Sequence, residues 1–139
     1  MINTEIYTLE RINKWGENTM MEHLGIIVTE IGPDFIVATM PVDHRTVQPA
    51  RLLHGGASAV LSETLGSIGA NCCVDNEKQY CVGLEINANH IRGVKSGNVT
   101  GRAEAIHIGR RTQVWETKIY DEQKKLVCTS RLTLSVIDK

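Results

Sequence analysis

The segment from Gly55 to Val74 constrains this chain more than any other. It is rich in Gly, Ala, Ser and aliphatic residues, lacks proline, and carries a single charged side chain, Glu63. Its composition and length suit a helix, and its lack of charge requires that other structure cover it. Leu61, Leu65, Ile68 and Cys72 recur at helical spacing and form one apolar stripe. At about 100° per residue, Gly56, Ala59, Glu63, Gly66, Ser67 and Ala70 fall roughly opposite. Every member of that second set except Glu63 is small, so a helix, a strand or a slender ligand can approach it closely.

The flanking sequence supplies what covers the helix. Ile26–Ile31 and Phe35–Met40 are β-rich runs joined by Gly32-Pro33-Asp34, a hairpin signal. A polar loop, Asp43–Arg51, follows, with Asp43 as a turn former. After the helix come four further runs, Tyr80–Ile91, Asn98–Ile108, Thr112–Tyr120 and Leu126–Ile137, separated by short turn segments. Connections this short imply antiparallel hairpins rather than βαβ units. The last run alternates, with Leu132, Leu134 and Val136 on one face and Arg131, Thr133 and Ser135 on the other. Thr8 reads as the N-cap of a short N-terminal helix ending at Trp15, with Leu9, Ile12 and Trp15 on one side. The predicted architecture is α+β, one long six-stranded antiparallel sheet packed on a central helix.

Composition narrows the function. Hydrophobic residues make up 42% and charged residues 22%, which suits one folded domain spanning residues 1–139, the first 17 residues being an extension with the short helix. Net charge is −1 and aromatics are 4%, which argues against nucleic-acid binding by a basic face or by base stacking. No apolar run approaches the roughly 20 residues of a membrane span, and no signal peptide is evident. The four cysteines, at 72, 73, 81 and 128, show neither metal-ligand spacing nor a disulfide framework. Cys72 and Cys73 read as packing residues near the helix end, and a reduced, cytoplasmic setting is the simplest reading. No metal site and no organic cofactor are expected.

Glu63 needs a reason to be where it is, because burying an unpaired carboxylate is costly. It could pair with an arginine or cap a backbone across a subunit interface. The preceding His54-Gly55-Gly56 points elsewhere. Glycine there allows close backbone approach, and the unpaired N–H groups and positive dipole end of the first turn can stabilise an oxyanion. A carboxylate two turns on could reach a carbonyl held against that terminus, which is the minimum kit for acyl transfer. His54 could also be no more than a residue bonding its own loop. Ser67 and His90 do not make a Ser-His-Asp set, and no GxSxG elbow occurs. His23, His44 and His107 read as surface or strand-end residues.

The string MPVDHRTVQPARLLHGGASAVLSETLGS resembles the hot-dog-fold acyl-CoA thioesterases, in which a sheet wraps a central helix. It is most similar to the hydroxybenzoyl-CoA, dihydroxynaphthoyl-CoA and carrier-protein-proofreading group, whose catalytic carboxylate is a Glu on that helix. The resemblance implies Glu63 as nucleophile or general base and the Gly55 N–H as the group polarising the thioester carbonyl. It implies that His54 supports that region and that Gln48, from the facing subunit, orients water or the leaving group. Ser67, with Gly56, would line the acyl pocket, and Val82 and Gly83 would flank the pantetheine arm. His90-Ile91-Arg92-Gly93 and His107-Ile108-Gly109-Arg110-Arg111-Thr112 would contact coenzyme A, although Arg110 and Arg111 could equally be a solvated hairpin tip. The implied partners are an acyl-CoA or acyl-carrier thioester and further copies of the chain. Those copies would form a tetramer built as a dimer of dimers, with sites at the dimer interface. A dihydroxynaphthoyl-CoA hydrolase of menaquinone synthesis and a proofreading or aromatic-degradation thioesterase would look alike at this level. A non-catalytic acyl-CoA-binding module of the same fold is the reading from another class, and it has no use for Glu63. A hydratase of the same architecture would place Asp and His near the helix start instead.

Overall fold

The computed structural model describes residues 1–139. Two short helices, α1 (Leu9–Trp15) and α2 (Met20–His23), precede strands β1 (Ile27–Ile31) and β2 (Phe35–Pro41). The central helix α3 (Gly55–Asn71) comes next, followed by β3 (Gln79–His90), β4 (Asn98–Ile108), β5 (Thr112–Tyr120) and β6 (Leu126–Asp138). All strand pairs are antiparallel, and the six-stranded sheet runs β1-β2-β4-β5-β6-β3. The expected sheet and central helix are therefore present, and α2 is an addition that the sequence reading did not make. Thr8 caps α1 as expected, its hydroxyl accepting from Arg11 N–H at 3.3 Å. Of the α1 residues expected to face inward, only Ile12 is fully buried. Leu9 and Trp15 are 38% and 41% exposed.

The packing of α3 corrects one part of the sequence reading. Leu61 and Leu65 are buried, as the apolar stripe predicts. Gly66 and Ala70, assigned to the opposite face, are buried with them, and Ser58, Ser62 and Gly69 complete that surface. Glycine allows this close contact. A Cβ on Gly66 would stand 2.7 Å from a Leu132 methyl, and one on Gly69 would stand 2.7 Å from the Trp115 ring. Gly101 on β4 reciprocates, receiving Leu61 and Leu65. The helix thus presses on the sheet through its smallest residues and turns Gly56, Val60, Glu63, Thr64, Ser67 and Asn71 outward.

Polar ties hold this arrangement in register. Trp115 Nε1–H donates to Gln113 Oε1 at 3.0 Å, and Gln113 Nε2–H donates to the Ala70 carbonyl at 3.2 Å near the end of α3. Asn71 takes the Cys81 N–H at 2.9 Å and donates to the Cys81 carbonyl at 3.2 Å, fastening α3 to β3. β3 is an edge strand, and Tyr80, Val82 and Leu84 on it are 41%, 38% and 63% exposed.

Gly69→Ala tests the close approach of helix and sheet. On helix propensity alone it gains up to about 1 kcal/mol. Against a buried, hydrogen-bonded indole that cannot withdraw, it is expected to lose about 1–3 kcal/mol, read as a lower urea midpoint at unchanged slope.

Candidate active site

The start of α3 is set by His54, which has extended backbone and caps the helix through its side chain. His54 Nδ1 accepts the Gly56 N–H at 2.7 Å, and its carbonyl accepts the N–H groups of Ala57 and Ser58 at 2.9 and 3.2 Å. Gly55 N–H is left as the amide of the first turn without a partner in the chain. Such an amide, at the positive end of a helix of this length, suits a developing negative charge. His54 therefore serves as the loop-bonding cap considered from sequence, and in that role it leaves the Gly55 donor free.

Gly55 opens onto a cavity of about 300 Å³ that it shares with Gln48, Ser58, His90, Arg92 and Gly93. His90 lies directly over Gly55, where a Cβ would stand 2.8 Å from its Nε2. Ile91, beside them, is 56% exposed, and its N–H and that of Arg92 both donate to the Val127 carbonyl. Gln48 is held by its loop: its N–H donates to the Leu52 carbonyl, and its Oε1 accepts the Ala50 N–H. Asp43 keeps its assignment as a turn residue. It binds the Arg45 guanidinium at 2.7 Å, which holds its carboxyl down at about 2.

Glu63 stands on the outward face of α3 and is half-buried rather than enclosed. No cation pairs with it; the five ion pairs of the chain lie elsewhere. Its carboxylate rests against the backbone of β3 at Gly83, where a Cβ would overlap Oε1. A side chain at position 83 would make the carboxylate shift from this place, and Val82 beside it is exposed on the free edge. Desolvation raises the Glu63 carboxyl above its ordinary value, and the Ser67 hydroxyl one turn later opposes that rise. Ser67 also borders a separate cavity of about 410 Å³ with Ile68 and Asn71.

The distance between donor and acid revises the sequence reading. Eight residues of α3 separate Gly55 from Glu63, about 12 Å along the axis. One carbonyl cannot touch both groups of the same helix. Gln48 falls with Gly55 in one cavity of one chain, so the expected kit divides into a donor half and an acid half. The nucleotide-binding segments divide likewise. His90–Gly93 lie at the Gly55 end of β3. Arg110 and Arg111 line a cavity of about 430 Å³ with Gln79 and Ser135 at its other end, a strand length of about 37 Å away. Gly109 N–H donates to the Thr112 carbonyl, closing a tight turn in which His107 and Ile108 are exposed. Neither arginine has an acidic partner. The sequence signal that could have exposed this division was the helical rise between residues 55 and 63.

Residues 51–128 match the family model described as the thioesterase superfamily. The chain is 50% identical to the 1,4-dihydroxy-2-naphthoyl-CoA hydrolase of Escherichia coli, over 94% of this chain and 95% of that protein. It is 52% identical to a proofreading thioesterase of Cronobacter sakazakii, covering 94% of each. Among solved structures, a thioesterase from Haemophilus influenzae superposes with a TM-score of 0.94 at 51% identity, over 99% of this chain and 96% of that one.

Gly83→Ala displaces the Glu63 carboxylate without touching the core. It is expected to lower thioester hydrolysis by at least about tenfold, equivalent to about 1.4 kcal/mol in the barrier. The circular dichroism spectrum and urea midpoint should stay close to those of the parent.

Proposed function

Because this chain belongs to the thioesterase superfamily and is a thioester hydrolase, we propose that it cleaves acyl-CoA substrates with aromatic acyl groups, using Glu63 as the catalytic carboxylate. The observation that carries this reading is that α3 bears both an acid with no cation beside it, Glu63, and an unpaired amide, Gly55 N–H, about 12 Å apart along the helix. Water adds to the thioester carbonyl with loss of the carbon–sulfur bond, giving a free acid and coenzyme A thiol. Glu63 either attacks the carbonyl and is regenerated by water, or removes a proton from the attacking water. Gly55 N–H receives the charge that builds on the carbonyl oxygen, His54 holds that turn, and Gln48 orients the water or the leaving group. Ser67 steadies the Glu63 carboxylate. The chemistry is written with no metal or organic cofactor, coenzyme A being part of the substrate.

The site requires a second copy of the chain. β3 is a long free edge with exposed apolar side chains, the kind of edge that pairs with another strand. Antiparallel pairing of two β3 strands about a dyad near their middle places the His90 end of one against the Gln79 end of the other. Such pairing would bring the donor half of one copy toward the acid half of its partner. It would also bring Arg110 and Arg111 of one copy toward His90–Gly93 of the other, gathering cations for the coenzyme A phosphates. We assign the active form to such a dimer, two of which form a tetramer, working in the cytoplasm. The relatives are named a 1,4-dihydroxy-2-naphthoyl-CoA hydrolase and a proofreading thioesterase; for this chain the corresponding substrates would be a dihydroxynaphthoyl-CoA, as in menaquinone synthesis, or carrier-bound acyl groups.

Glu63→Gln is expected to lower kcat for benzoyl-CoA by about 10²–10⁴-fold while substrate still binds; turnover near the parent rate overturns the mechanism. Mixed oligomers of Glu63→Gln and Gln48→Ala chains should exceed the mean activity of the two parents, because one hybrid site regains both groups; a simple average rules out the shared site. The acid limb of kcat/KM should lie above 4.5, the ordinary glutamate value. Because the Ser67 hydroxyl favours the ionised form, Ser67→Ala should move that limb to still higher pH. A panel of aryl, short and long acyl thioesters on coenzyme A and on carrier protein should favour aryl-CoA.

A further inference from the structure

The 410 Å³ cavity that begins at Ser67 continues away from Glu63 to a wall the thioesterase reading does not use, formed by Arg11 and Trp15 of α1 with Asn76 and Lys139. Along α3, Ser67 lies about 6 Å and Asn71 about 12 Å beyond Glu63. An acyl group whose carbonyl sits at Glu63 and whose body runs toward the end of α3 would therefore place its far end at this wall.

The wall carries several donors, of which the Arg11 guanidinium has no acid beside it. Arg11 has no acidic partner; its guanidinium lies 5.3 Å from the Tyr7 ring and makes one long contact to the Ile6 carbonyl at 3.4 Å. Lys139 Nζ donates to the Asn76 carbonyl at 2.6 Å and lies near Asp75, whose carboxyl it helps to hold low. Trp15, held edge-on to Tyr7 at 5.8 Å, is 41% exposed, and its indole N–H has no acceptor in the chain. The Asn71 amide is occupied by the backbone of Cys81 and Ser67. The Arg11 guanidinium, a free indole N–H and a flat apolar surface suit a ring with a negative charge at its distal end.

Resting on the thioesterase reading above, we infer that this cavity is a subsite for acyl groups with a distal acid, such as a carboxylate on an aromatic ring, with Arg11 as its main charge partner and Trp15 as its wall. The subsite sets specificity and takes no part in the bond-breaking step. Its charges are solvent-exposed, so the discrimination it gives is moderate and screened by salt.

The test compares kcat/KM for 4-carboxybenzoyl-CoA, 4-hydroxybenzoyl-CoA and benzoyl-CoA in the parent chain, Arg11→Ala and Arg11→Lys. Arg11→Ala is expected to lower the carboxybenzoyl-to-benzoyl ratio by about three- to fivefold, Arg11→Lys to keep most of it, and added salt to lower the parent ratio in the same direction. A ratio unmoved by Arg11→Ala, or an equal loss for all three substrates, overturns the subsite. Failure of the underlying reading is distinct: all three thioesters would then still be hydrolysed by Glu63→Gln.

Discussion

The close approach of α3 to the sheet is the constraint on which the rest depends. Gly66 and Gly69 let the helix settle onto Leu132 and Trp115, while Gly101 receives Leu61 and Leu65 from below. A bulkier residue at any of these points would lift or roll the helix. Because the contact fixes its rotation, Glu63 must face outward over β3, and Gly83 must leave room for it. The bonds from Asn71 to Cys81 and from Gln113 to Ala70 lock the same rotation from the far end.

A rigid helix also separates what it carries. Gly55 and Glu63 share one straight element and stand about 12 Å apart, so no movement short of breaking the helix brings them to one carbonyl. The free β3 edge offers the solution a symmetric oligomer can use, since a dyad reverses one helix relative to the other. In the proposed dimer the same reversal would bring together the basic segments that lie at opposite ends of the sheet. On that proposal a lone chain would carry only half-sites; in the chain itself Glu63 stands half-buried on an open face.

Much of the fold was legible locally. The Gly32-Pro33-Asp34 turn, the alternation along Leu126–Ile137 and the Thr8 cap are short-range signals, and each appears where expected. The orientation of α3 was only partly legible. Hydrophobicity marked Leu61 and Leu65, and the small-residue stripe allowed a strand to come close, as it does at Gly66. The buried Ser58, Ser62 and Gly69 fell in neither stripe, because a residue such as Gly69, in close contact with Trp115, scores as featureless on a polarity scale. Trp15 was misjudged for the opposite reason: an aromatic at helical spacing reads as core, yet it packs edge-on to Tyr7 and stays half-exposed.

For the site, the sequence alone determined the isolation of Glu63 in an uncharged helix, the glycines at the start of that helix, and the length of chain between them. These are properties of order and composition, and helical rise converts the spacing into a distance. Only the tertiary structure decided that His54 caps Gly56 and leaves Gly55 free, that Gln48 joins the donor and not the acid, and that β3 ends up at the sheet edge. Those outcomes depend on contacts between residues far apart in the chain, such as Gly83 with Glu63 and His90 with Gly55, and no local periodicity encodes them.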